Sequence, residues 1–180
     1  MKRDSKGLEN EVFELRKQIL YMETYSRREN VKFIGLPEKP NNTNGGNETE
    51  DSKEVVYKFL EEHLRIDRPR DSIEFQRIHR LGKPKGTRPR PIIARLLHYG
   101  DKQLVMDQAR KKLKDTDFHA YDDIPKPLYD SRKGQLKKLQ EAREKGYTAF
   151  FSRAHPDKLF VNGKYIAPGE SVQQYPLLNP

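Results

Sequence analysis

Among the apolar residues of the first 28 positions, Leu8, Val12, Leu15, Ile19 and Met22 recur at intervals of four, three, four and three. That is the a/d rhythm of a heptad repeat, and it predicts a helix whose apolar seam faces a second copy of itself. Glu11 and Arg16 stand where a g position of one chain meets an e position of its neighbour, so a parallel oligomer is expected. β-Branched Val12 and Ile19 at a with Leu15 at d favour two strands on packing grounds alone. The lesser alternative for a run of about three heptads is an amphipathic helix lying on its own domain.

At Asn30 the period changes from 3.5 to two. Val31, Phe33 and Gly35 face one side and Lys32 and Ile34 the other, which predicts a first strand ended by Pro37. Residues 40–46 are a loop by composition. Asp51, with Glu54 three residues on, caps a helix whose stripe is Val55, Val56, Phe59, Leu60 and Leu64, and Pro69 lies beyond its end. Ile73, Phe75 and Ile78 predict a second strand with a bulge near Arg77, where alternation breaks. Residues 82–90 form a turn-rich basic loop without an acid. Residues 91–97 are a third strand, with Ile92, Ala94 and Leu96 on one face and Ile93 and Arg95 on the other. Asp101 is expected to cap a second helix carrying Leu104, Val105, Ala109 and Leu113, with Arg110, Lys111 and Lys112 in its last turn.

A fourth strand over 117–124 completes the order βαββαβ, the ferredoxin-like plan. Beyond it the spacing predicts one helix from Pro125 to Gly146, with Leu128, Leu136, Leu139 and Ala142 inward. Asn162-Gly163 then joins 159–161 to 164–166 in a type I′ hairpin. The fold class is therefore α+β: a coiled-coil end at 1–28, a ferredoxin-like domain at 29–124, a small helix-plus-hairpin domain at 125–168 and a tail at 169–180.

Charge gives this architecture a direction. Lys and Arg number 36 against 27 Asp and Glu, a net charge of +9 that favours polyanionic partners, nucleic acid first. A 33% apolar content leaves material only for small cores. The absence of Cys excludes disulfides, thiolate metal sites and cysteine nucleophiles. No apolar run has the length of a membrane span or a signal peptide, so an intracellular, soluble chain without membrane partners is expected.

A ferredoxin-like plan in a basic chain points to an RNA recognition motif, which stacks bases on sheet aromatics. Here Lys32, Pro91, Ile93 and Arg95 stand where those aromatics would be, and only Tyr121 and His119 offer rings. Binding is therefore expected to rest on phosphates, with weak sequence preference. Asp122 and Asp123 suggest a metal-dependent nuclease, but no further carboxylates converge with them, and capping of the third helix is the better reading. His79, His98, His119 and His155 lack metal-ligand spacing. No metal, cofactor or enzymatic activity is expected.

The phrase Arg-Arg-Glu-Asn-Val-Lys-Phe-Ile-Gly-Leu-Pro-Glu at 27–38, directly after a heptad segment, resembles the join between coiled coil and RNA recognition motif in the first-open-reading-frame protein of LINE-type retrotransposons. Ile78-His79-Arg80, the run 90–96, the run 109–112, Arg132-Lys133 and the run 155–159 match in the same order, so the resemblance covers nearly the whole chain. It implies a homotrimeric RNA-binding protein and nucleic-acid chaperone in a cytoplasmic ribonucleoprotein particle, with nuclear residence as an alternative. By the same resemblance Arg80, Arg90, Arg110, Arg132 and Lys133 carry RNA contacts. His155 replaces a usual Tyr, Lys112-Leu113 replaces a common Lys-Gly turn, and Gln18 replaces an Arg in the trimer-specifying pattern at 18–23.

The expected nucleic-acid-binding set is thus Arg80, Arg90, Arg95, Arg110, Lys112, Tyr121, Arg132, Lys133, His155 and Lys158. Its arginines and Lys133 are expected to line a cleft between the two small domains. Six of them have a structural alternative: Arg132 bridging apolar surface between Leu128 and Leu136, Arg110 and Lys112 complementing a helix dipole, Arg80 and Arg90 flanking a solvated loop, His155 in a turn. The rival function is a protein-interaction scaffold in which charge serves only solubility.

Overall fold

A computed structural model describes residues 2–38, 51–83, 88–152, 155–168 and 170. The loop expected at 40–46, residues 84–87 of the basic loop and residues 171–180 of the tail lie outside the described residues. The chain divides into two compact units: Tyr25–Asp123, and a second grouping Met1–Thr24 with Ile124–Pro180. The protein is mixed α+β.

Helix α1 spans Lys2–Ser26 without interruption. Its seam residues Leu8, Val12, Leu15, Ile19 and Met22 are 44–68% exposed in the single chain. Most helical stability in proteins comes from packing of an apolar face rather than from propensity, so covering this seam would stabilise the helix.

In the unit of residues 25–123, β1 (Asn30–Ile34), β2 (Phe75–Arg80), β3 (Ile92–Leu96) and β4 (His119–Asp122) form one antiparallel sheet in the order β2-β3-β1-β4. Helix α2 (Ser52–Glu62) follows β1 and helix α4 (Tyr99–Lys112) follows β3. Val31 and Phe33 of β1 and Ile92, Ala94 and Leu96 of β3 alternate into the core as their period requires. Val56, Phe59 and Leu60 of α2 and Val105 and Ala109 of α4 meet them there. Each such Leu or Phe contributes roughly 2 kcal/mol by leaving water. Both helices therefore cover the same face of the sheet, and neither lies on the other.

Asp51 caps α2 by accepting from the backbone N–H groups of Lys53 and Glu54, as its spacing predicts. The break at Arg77 is a shift of register between Phe75 and Arg77. Pro69 lies beyond α2 as expected and opens a further helical turn, α3 (Pro69–Ser72), because proline's fixed φ suits a first helical position. Two details depart from expectation. Helix α4 begins two residues before Asp101, with His98 at the cap, so Asp101 lies in the first turn. Leu104 is exposed and Met106 is buried, so the buried stripe runs through Lys102, Val105, Met106 and Ala109.

In the second unit the single helix expected from 125 to 146 is two, α5 (Lys126–Gly134) and α6 (Leu136–Glu144), broken at Gln135. Gln135 is buried and its amide donates to the carbonyls of Asp157 at 2.7 Å and Ser131 at 3.4 Å. Leu136, expected inward, is exposed as a result. A second antiparallel sheet, β5 (Ala149–Phe151), β6 (Leu159–Val161) and β7 (Lys164–Ile166), packs Ala149, Leu159, Val161 and Ile166 around Ala142. Asn162 and Gly163 have φ of 50° and 78°, the two left-handed residues of a type I′ turn.

Gly35 ends β1 with a φ of 90°, and a Cβ there would lie 2.6 Å from the Asp117 carbonyl oxygen. Gly35→Ala is expected to cost about 2 kcal/mol or more from backbone strain and this clash. Urea denaturation of the variant against the parent measures it.

Candidate nucleic-acid interface

The uncovered face of the four-stranded sheet is built by register. His79 of β2 stands opposite Ile93 of β3, Ile93 opposite Lys32 of β1, and Lys32 opposite Tyr121 of β4. One step along, Arg77 faces Arg95, and Arg95 faces Asn30. Tyr121 is 51% exposed, with the His119 ring 5.7 Å away. The face thus presents three cationic side chains, Lys32, Arg77 and Arg95, three rings, His79, His119 and Tyr121, the aliphatic Ile34 and Ile93, and Asn30, and among the strand residues on it there is no acid.

Two acids from the segments flanking the strands reach its edge. Asp123, buried just past β4, accepts from Lys32 Nζ at 2.5 Å, Asn30 Nδ2 at 2.9 Å and Arg27 Nη1 at 3.2 Å. Burial pushes its carboxyl up, but the hydrogen bonds from Lys32 and Asn30 and the charges of Lys32 and Arg27 outweigh this and hold it below its ordinary value. Glu29 pairs with Arg95 at 3.0 Å and Arg28 at 2.7 Å, and the Arg28 guanidinium lies 3.6 Å from the Tyr25 ring centre. Asp122 pairs with Lys102 at 2.6 Å. The helix after β4 has Pro125 at its cap and no side-chain cap, so neither Asp122 nor Asp123 caps it as expected.

The other expected contacts in this unit divide sharply. Arg80 Nη1 donates to the carbonyls of Leu36 at 3.0 Å and Arg90 at 2.6 Å, and Nη2 to Pro37 at 2.5 Å. Arg90 holds Glu38 with Nη2 at 2.5 Å and Nε at 2.7 Å. Hydrogen bonds from the Arg90 side chain and backbone, against a small effect of burial, keep the Glu38 carboxyl below its ordinary value. These two arginines fasten the end of β1 to the basic loop. Lys112 Nζ donates to the Leu64 carbonyl at 2.9 Å. Arg110 is exposed and pairs at 2.6 Å with an equally exposed Asp107, a contact a phosphate can displace at little cost. Arg77, which the sequence reading passed over, is exposed and has no ion-pair partner among the described residues. Its only signal was the interruption of alternation in β2.

In the second unit Arg132 and Lys133 lie in the last turn of α5. Arg132 stacks over the Phe151 ring at 4.6 Å, and Lys133 is exposed. His155 is exposed, its N–H donating to Ser152 Oγ at 3.1 Å in the turn before β6. Lys158 Nζ lies 5.7 Å from the Tyr165 ring centre.

Among the described residues no group of His, Asp and Glu could hold a metal ion, and no helix is long and apolar enough to cross a membrane. Comparison with protein-family models finds no match, and comparison with curated proteins finds none.

The Asp123 pairing yields a pH prediction. Its folded-state carboxyl is depressed, so its contribution is present above the ordinary carboxylate range and is lost as pH falls through the folded value. Asp123→Asn leaves Lys32 and Arg27 without their anion and should cost about 3 kcal/mol at pH 7. Urea midpoints of variant and parent should converge as pH falls below the ordinary carboxylate range.

Proposed function

We propose that this protein binds single-stranded RNA and DNA, chiefly through the phosphate backbone, and acts as a nucleic-acid chaperone of the LINE first-open-reading-frame type. The observation that carries this reading is the face of the four-stranded sheet opposite α2 and α4, where an exposed Tyr121 on β4 has Lys32 beside it on β1, with Arg95 and Arg77 on the strands beyond. Strand order β2-β3-β1-β4, with α2 and α4 following β1 and β3, supports the ferredoxin-like plan of an RNA recognition motif. Arg110 and Lys133 add exposed cations. The short supply of rings on this sheet favours weak sequence preference, because phosphates carry no base identity. The protein works by binding rather than catalysis, within a ribonucleoprotein particle.

Helix α1 supplies self-association through its bare seam, and the family resemblance makes the assembly a trimer. Ile19→Asp places a charge in that seam and should reduce the assembly to monomers in multi-angle light scattering, while circular dichroism of the two units persists.

The scaffold reading draws on a different observation: Arg80, Arg90 and Arg95 are held by carbonyls or carboxylates of their own unit. Salt dependence separates the two. With about six phosphates neutralised per chain, log affinity for an unstructured oligonucleotide should fall with log salt at a slope near −4. Arg77→Ala combined with Lys133→Ala should lower the affinity by about tenfold and shrink the slope by roughly 0.7 per lost contact. Absence of binding at low salt, or binding indifferent to salt, establishes the scaffold instead.

A further inference from the structure

The three strands of the small sheet carry a row of rings that no part of the expected binding set includes. Phe150 of β5 pairs with Phe160 of β6, and Phe160 pairs with Tyr165 of β7. Ring centres are 5.9 Å and 6.0 Å apart, and the planes of Phe150 and Phe160 lie within 11° of parallel. Strand alternation sends these three side chains to the face opposite the core, which is built from Ala149, Leu159, Val161 and Ile166. Phe150 is 47% exposed and Tyr165 43%. Cross-strand pairing gives a small sheet some cohesion, but cohesion requires neither two phenylalanines nor exposure, and β-branched residues would serve it as well.

We infer that the Phe150–Phe160–Tyr165 ladder is a stacking platform for unpaired bases of a single-stranded nucleic acid. The inference rests on the nucleic-acid reading above and adds base contacts to the phosphate contacts proposed there. Charge selects this occupant. Lys158 lies two residues before Phe160, on the same face by alternation, with its ammonium 5.7 Å from the Tyr165 ring centre. The strands β5, β6 and β7 contain no acidic residue. A cation beside adjacent exposed rings matches a chain whose repeating unit is a phosphate and a flat base, and every base has a face to stack irrespective of sequence. An apolar protein segment would draw no benefit from the ammonium. The platform therefore adds affinity for bases without adding sequence preference.

The test compares the full chain on two oligonucleotides of equal length and charge, oligo-deoxythymidine and its abasic counterpart, by fluorescence anisotropy. The parent should bind the base-bearing strand roughly fivefold or more tightly than the abasic one. Tyr165→Leu should abolish most of that preference and leave abasic binding unchanged, and Tyr165→Trp should retain it. Circular dichroism and urea midpoints show whether Tyr165→Leu is folded, and Phe150→Leu offers a second, edge-strand removal of a ring. Equal affinity of the parent for both strands overturns the platform and leaves the phosphate reading intact. Binding to neither strand overturns both. A preference that survives removal of Phe150 and of Tyr165 places the stacking elsewhere and overturns the platform alone.

Discussion

A buried carboxylate joins the edge of the four-stranded sheet to its central strand β1 and to Arg27, just ahead of that strand. Asp123, just past the last strand, takes hydrogen bonds from Asn30 and Lys32 of the central strand β1 and an ion pair from Arg27, which immediately follows the helix. A carboxylate withdrawn from water is costly unless its lone pairs are filled, and here three donors fill them. The same contact fixes β4 beside β1, and with it the position of Tyr121 next to Lys32. Lys32 is therefore both the cation at the centre of the uncovered face and the partner that makes the buried anion tolerable. Its charge is partly neutralised, so the field above the sheet owes more to Arg77 and to exposed pairs that can open.

That distinction reorganises the basic residues into two kinds. Arg80 and Arg90 are structural: their guanidinium groups satisfy carbonyls and a carboxylate at the point where the chain leaves β1. Guanidinium suits this because its planar fork reaches several acceptors at once, which an ammonium does not do with fixed geometry. Removing either leaves acceptors without donors, a stability defect that mimics loss of binding. Arg110 and Lys133, by contrast, lie where a phosphate can reach them without dismantling an interior.

Much of the fold was legible because local chemistry and burial agree. The Asp51 cap, the alternation in β1 and β3, the irregularity at Arg77 and the Asn162-Gly163 turn each depend on residues adjacent in sequence. The misses depend on distant ones. The break at Gln135 is made by an amide reaching the Asp157 carbonyl, 22 positions away, and no periodicity reports that. Asp101 had the composition of a cap, yet the helix gained two residues before it. Asp122 and Asp123 were read as caps because they precede a proline-led helix, whereas their partners are Lys102 and β1. The candidate site was legible as a set of basic positions; which of them are occupied internally was not, since acid partners such as Glu29 and Glu38 lie 66 and 52 positions away.

The aromatic ladder illustrates the same limit in a sharper form. Phe150, Phe160 and Tyr165 are scattered among apolar neighbours, and each in isolation reads as core. Only the pairing register of β5, β6 and β7 shows that they share a row and that the row faces away from Ala142. A slip of one residue in any strand would bury its ring and expose an aliphatic residue instead. The register is pinned on one side by the type I′ turn at Asn162-Gly163 and on the other by the Asn162 side chain, which accepts the Thr148 N–H at 3.1 Å. The turn that looks like simple hairpin chemistry is therefore what aligns three rings, and a small sheet with little core of its own keeps that alignment because a two-residue loop permits no other.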